Sequence, residues 1–167
     1  MRAKKLALCA VLAAMLMAGQ VALSFLPNIE PCTLLLILYT LAFSPSVALW
    51  SALVFVLLQG LLYGFGIWWV SWLYIWPLLI LLTWLMRKNT SVLLWAVMAG
   101  AFGLSFGALC AIPYFITGGL YAGVSYWFAG IPFDLLHCAG NFTLTALLYA
   151  PLRKCFAQIY KRYFPLG

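Results

Sequence analysis

Charge is confined in this chain to three short basic clusters, Arg2/Lys4/Lys5, Arg87/Lys88 and Arg153/Lys154/Lys161/Arg162, and to two acids, Glu30 and Asp134. The stretches between the clusters are apolar almost without interruption. With 68% hydrophobic and only 7% charged residues, the chain has more apolar surface than a soluble domain of 167 residues could hide. An all-α integral membrane protein is expected, embedded in the lipid bilayer as a single transmembrane domain spanning 1–167. A spanning helix takes about 20 residues, so six would use about 120 and leave fewer than about fifty for tails and loops. That arithmetic excludes an appended soluble domain. Neither a phosphate-binding glycine loop nor a zinc-spaced Cys/His set is present, so the net charge of +7 is not read as a nucleic-acid signal and no nucleic-acid partner is expected.

Breaks in the apolar pattern divide the chain into six helices, at about 6–25, 32–43, 47–62, 67–86, 91–116 and 132–152. The dividing elements are Leu26-Pro27-Asn28-Ile29-Glu30-Pro31, Ser44-Pro45-Ser46, the glycines Gly60, Gly64 and Gly66, the pair Arg87-Lys88, and a Gly/Tyr-rich connection over 117–131. A six-helix bundle with both termini inside puts all three basic clusters on one side, as the positive-inside rule requires. Residence in a cell membrane, a bacterial cytoplasmic membrane, is expected, crossed several times. The amino-terminal basic residues, apolar run and Val21-Ala22-Leu23-Ser24 also fit a cleavable secretory signal, and that reading stays open here. Five scattered cysteines, Cys9, Cys32, Cys110, Cys138 and Cys155, never at C-x-x-C spacing, indicate neither a disulfide framework nor a metal site. No cofactor is expected.

The first helix places Ala10, Ala14, Ala18 and Ala22 at four-residue intervals, with Ala3 and Ala7 in a second register. Small residues at that spacing flatten a helix face and let another backbone approach closely, as helix association in lipid demands. The face could pack within the chain or dock a partner subunit. In the sixth helix Asp134, His137 and Asn141 fall at i, i+3 and i+7, one stripe that Thr145 extends. Taken singly, they read as a helix cap, a satisfied core histidine and an interhelical hydrogen bond. Together with Asn28, Glu30, Gln59, Tyr63 and Tyr121, all expected in the outer half, they read as the lining of a polar pocket. Trp68, Trp69 and Trp72 could stack on a planar ligand or form an interfacial aromatic belt.

Two motif matches carry no weight. Gly103-Leu104-Ser105-Phe106-Gly107 fits G-x-S-x-G, with Asp134 and His137 following in triad order, but a nucleophile elbow needs a strand-to-helix turn and this pentad lies inside an apolar helical run. The sequons at Asn89 and Asn141 fall on the cytoplasmic side and within the membrane, where no glycosylation is expected.

On these residues the chain resembles the substrate-binding S component of energy-coupling factor (ECF) vitamin transporters, small six-helix membrane proteins. The resemblance rests on the alanine-spaced first helix, on Leu26-Pro27-Asn28-Ile29-Glu30-Pro31, on the stretch from Gly60 to Trp69, and on Gly130-Ile131-Pro132-Phe133-Asp134-Leu135-Leu136-His137-Cys138-Ala139-Gly140-Asn141 running to Pro151-Leu152. It implies that Ala10, Ala14 and Ala18 dock on a transmembrane scaffold subunit coupled to two ATPase subunits. It further implies that a vitamin-like small molecule is captured in an outward-opening pocket containing Asn28, Glu30, Trp68, Trp69, Asp134, His137 and Asn141. The chain itself would be no enzyme: it would bind, topple in the membrane and hand over, with ATP hydrolysed elsewhere. Two carboxylates and a histidine, with no outward Arg or Lys, argue against an anionic ligand such as biotin or pantothenate and for a neutral or cationic ring compound. The competing reading is a structural anchor subunit of a cell-envelope or cell-shape complex, for which the alanine face would still dock a partner but no ligand would be bound; a channel or enzyme ranks third.

Overall fold

The structure, a computed structural model, describes residues 2–163. Among the described residues all regular structure is helical: α1 (Arg2–Ala22), α2 (Cys32–Ala42), α3 (Pro45–Tyr63), α4 (Ile67–Leu85) and α5 (Val92–Tyr163). Four of these, α1 over Ala3–Ala22, α3, α4 and α5 over Val92–Arg162, are long and apolar enough to cross a membrane. Their large side chains, among them Leu61, Leu62, Leu85, Leu93 and Leu147, are exposed on the outside of the bundle. Lipid can cover such a surface and water cannot, so the chain has the make-up of a membrane-embedded helical protein.

α2 ends within one residue of the short second helix expected at 32–43. At 11 residues it is about 16 Å long, too short to cross a bilayer alone. Residues 32–40 of it are buried without a break, because α3, α4 and α5 surround it. A helix apolar on every side needs such a central position. Ser44 ends the preceding turn and starts α3, its hydroxyl accepting from the Val47 N–H at 3.2 Å with Pro45 at the first helical position.

The predicted connection over 117–131 is corrected. Helix continues through most of it, and the only non-helical residue inside α5 is Gly119, with φ 75° and ψ −173°. That conformation is essentially reserved for glycine. A single residue reverses the chain. Trp95 stacks on Tyr149, Gly103 abuts His137, the Gly107 N–H bonds Asp134 and Tyr114 stacks on Tyr126, so each step toward 119 along one arm is answered by a step away along the other. The arms 92–118 and 120–163 are therefore an antiparallel pair. At 1.5 Å per residue the second arm is about 65 Å long, well beyond the ~30 Å of a hydrocarbon core, and the predicted helix at 132–152 is only its middle.

Proline in α5 opens one specific position for α4. Pro113 has no N–H to give the carbonyl four residues back, and the Tyr74 hydroxyl donates to that Leu109 oxygen at 2.6 Å instead. The bond ties α4 to the first arm of α5.

The bundle has two unlike ends. Lys5 Nζ donates to Ser46 Oγ at 3.2 Å beside the α2–α3 turn, Phe43 in that turn packs against Phe156 and Tyr160, and Arg153 reaches Tyr149, itself stacked on Trp95 next to the 86–91 turn. These contacts gather the basic clusters at one end. The α1–α2 loop, the start of α4 and the α5 reversal form the other, where both acids stand.

Candidate functional site

The α1–α2 loop is seated on α5. Asn28, in the left-handed region at φ 56°, donates through its side-chain amide to the Phe133 carbonyl at 3.0 Å. Asparagine is among the few side chains that tolerate this conformation. A cavity of about 520 Å³ opens beside that bond, with Asn28, Phe133 and Ala129 exposed at its rim and Cys110 and Asp134 buried at its floor. Trp68 and Trp72 of α4 and Phe106 and Tyr126 from the two arms of α5 complete its walls with Gly107 and Gly130. This volume lies in the range of small-molecule sites. A second space of about 280 Å³, lined by Gln20, Gln59, Tyr63, Trp68 and Trp72, shares the two tryptophans as its wall.

Asp134 is held by a backbone group. Its Oδ1 accepts from the Gly107 N–H at 2.8 Å, while Oδ2 is buried without a partner. The approach needs a glycine, since a Cβ at 107 would collide with both carboxylate oxygens. Gly103 does the same one turn away, where a Cβ would press on the His137 backbone and the Asn141 amide. The G-x-S-x-G glycines are thus packing positions for the second arm, and Ser105 points away, exposed, its hydroxyl bonded to the Ala101 carbonyl at 2.8 Å.

Below Asp134 the polar stripe of the sequence runs inward as a buried column. His137 lies edge-on to Phe106 with ring centroids 4.8 Å apart, and its Nε2 stands 3.8 Å from Glu30 Oε1, outside hydrogen-bonding range. The Asn141 amide donates to Thr33 Oγ1 of α2 at 3.1 Å. Thr145 Oγ1 has no partner. Glu30 belongs to the loop, and its burial pushes the carboxyl up to about 7.

Of the residues singled out in the sequence, Asn28, Trp68, Trp72 and Asp134 line the larger cavity, and Gln59 and Tyr63 line the smaller one with the same tryptophans. Glu30, His137 and Asn141 stand in the column and line neither. Trp69 turns toward α3, where its indole N–H donates to the Val56 carbonyl at 2.8 Å. Tyr121, 86% exposed just past the α5 reversal, lines neither of the two spaces; the helical continuation after Gly119 carries it outward. Trp68, Trp72 and Trp76 succeed one another edge-on at 5.3 and 5.6 Å, running from the cavity to the core.

Several lining residues escaped the sequence reading. Phe106, Cys110, Tyr126, Ala129, Gly130 and Phe133 carry no polar signature that separates them from core residues. Gln20 was legible in principle, being a polar residue late in an apolar helix, and its Oε1 accepts from the Gln59 amide at 2.5 Å. Ala10, Ala14 and Ala18 are all exposed, while Cys9, Leu12, Ala13 and Leu16 of the same helix are buried. The alanine face is therefore not used for packing within the described chain.

Compared with protein-family models, with curated proteins and with solved structures, the chain matches none.

Proposed function

We propose that this chain is the high-affinity substrate-capture subunit of an ECF-type importer for a vitamin or related micronutrient, crossing the membrane six times with both termini in the cytoplasm. The observation that carries the reading is the cavity of about 520 Å³ into which the loop, α4 and both arms of α5 bring Asn28, Trp68, Trp72 and Asp134. A preformed aromatic space with a few polar anchors suits tight capture of a small ring compound. Its position at the end opposite the basic clusters suits an outward opening. The six passes would be α1, the short α2, α3, α4 and the two arms of α5. The exposed face of Ala10, Ala14 and Ala18 would dock a membrane scaffold subunit working with two ATPase subunits.

The test is to purify the protein alone from cells grown in rich medium and identify by mass spectrometry any compound released on denaturation. A stoichiometric vitamin-like compound in the wild type, depleted in an Asp134→Asn, Glu30→Gln variant, is the expected result. If the wild type is empty and a vitamin panel gives no thermal stabilisation of the size RT ln(1 + [L]/Kd), the structural-anchor reading, for which the alanine face alone suffices, takes its place.

A further inference from the structure

The capture reading leaves the chemical class of the ligand open, and the charge balance of the larger cavity narrows it. Five aromatic side chains line the space together with one carboxylate, and no Lys, Arg or His does. Asp134 is 4% exposed, and one of its two oxygens lacks any partner. A buried polar atom left unmatched is costly, and a buried carboxylate more so, unless a charge or donor meets it. Among the described residues the Gly107 N–H meets Oδ1, and neither a donor nor a positive charge meets Oδ2. The only other acid, Glu30, stands on the same side one helical turn inward beyond Phe106, and every basic cluster lies at the far end of the bundle.

An anion entering this space would meet the Asp134 carboxylate and no counter-charge. A neutral ring would satisfy the aromatic walls but offer Asp134 at most one hydrogen bond. A cation satisfies both parts at once: the faces of Trp68, Trp72 and Tyr126 carry the negative part of the ring quadrupole, which attracts a positive nitrogen, and the unmatched carboxylate oxygen supplies the formal counter-charge. Low dielectric surroundings strengthen that attraction. Resting on the capture reading, we infer that the ligand of the larger cavity is an organic cation, a protonated or quaternary nitrogen carried on or beside a planar ring, with Asp134 as its counter-ion and Trp68 and Trp72 as its aromatic walls.

Three probes of one shape and different charge test this: 1-naphthylmethylammonium, 1-naphthylmethanol and 1-naphthoate, titrated against the full chain in lipid nanodiscs with thermal unfolding as readout. The ammonium compound should bind at least about tenfold tighter than the alcohol and naphthoate not at all. Asp134→Asn should erase the preference, bringing the ammonium to the level of the alcohol. Trp68→Leu, at a partly exposed wall position, is the second variant should Asp134→Asn fold poorly, and should weaken the ammonium at least about threefold more than the alcohol. Equal or better binding of the alcohol or of naphthoate overturns the cation assignment and leaves capture standing. Where none of the three binds, the compound released from the purified protein decides: a cation at neutral pH supports the assignment, a neutral or anionic compound overturns it alone, and an empty protein overturns capture with it.

Discussion

The two halves of the second arm of α5 differ in kind. Over 134–145 the buried side chains are Asp134, His137, Asn141 and Thr145, and three of the four retain a polar atom without a partner. Over 149–156 they are Tyr149 and Phe156, packed at 5.9 Å on Trp95 and 5.4 Å on Tyr39, with Arg153 bonded to the Tyr149 hydroxyl at 2.9 Å. One helix thus carries a stretch whose bonding is complete and one whose bonding is not. In lipid an unmatched polar atom is not rescued by water, so the upper half is built at a cost to stability and the lower half offsets it. This is the division expected of a molecule that holds a binding site at one end and its fold at the other.

Substitutions can break or sharpen that contrast. The largest effect is expected from Trp95→Ala, which empties a fully buried position in the completed half and should destabilise by about 3–5 kcal/mol in SDS-driven unfolding, while ligand affinity per folded molecule stays unchanged. Gly107→Ala works at the other half: its methyl displaces the Asp134 carboxylate, so on the proposed capture function ligand affinity should fall at least about tenfold with a stability loss of about 1–3 kcal/mol. Should Gly103→Ala, which touches His137 and Asn141 rather than the cavity, lower affinity as much, the distinction between cavity and column would fail. Thr33→Val removes the acceptor of Asn141 and should cost about 0.6–1.7 kcal/mol, and Tyr74→Phe, orphaning the Leu109 carbonyl, about 1 kcal/mol.

A separate effect concerns pH. Burial raises the Glu30 carboxyl from 4.5 to about 7, so the folded state holds a proton that the unfolded chain has released. Between those values the folded state binds more protons, and stability therefore falls as pH rises from about 4.5 to 7. Unfolding midpoints measured at pH 5 and pH 8 should differ in that sense for the wild type and converge in Glu30→Gln.

Much of this was legible from composition. Helix limits read from proline, glycine and basic breaks fall within a few residues of α1, α3 and α4, because those residues act on the backbone locally whatever the tertiary context. The 117–131 stretch misled for the same reason: six of its residues are glycine or tyrosine, but only Gly119 leaves the helix, since antiparallel packing of the arms holds the rest helical. The stripe Asp134, His137, Asn141 and Thr145 is a matter of helical period, and all four are buried.

Periodicity could not say which members of the stripe reach a cavity. That depends on Phe106, Gly107 and Tyr126, residues from other turns whose neighbours exist only once α5 folds back at Gly119. Nor could it say which face of α1 stays open, because the choice between Leu12 and Ala14 as the inward residue is made by where α3 lies. The amino-acid sequence by itself determined that the chain is helical and suited to lipid, through the apolar excess and the confinement of charge. The tertiary structure alone decided that an acid from one arm meets a backbone amide of the other at 2.8 Å, because contacts between residues 27 positions apart depend on the reversal between them and leave no local signature.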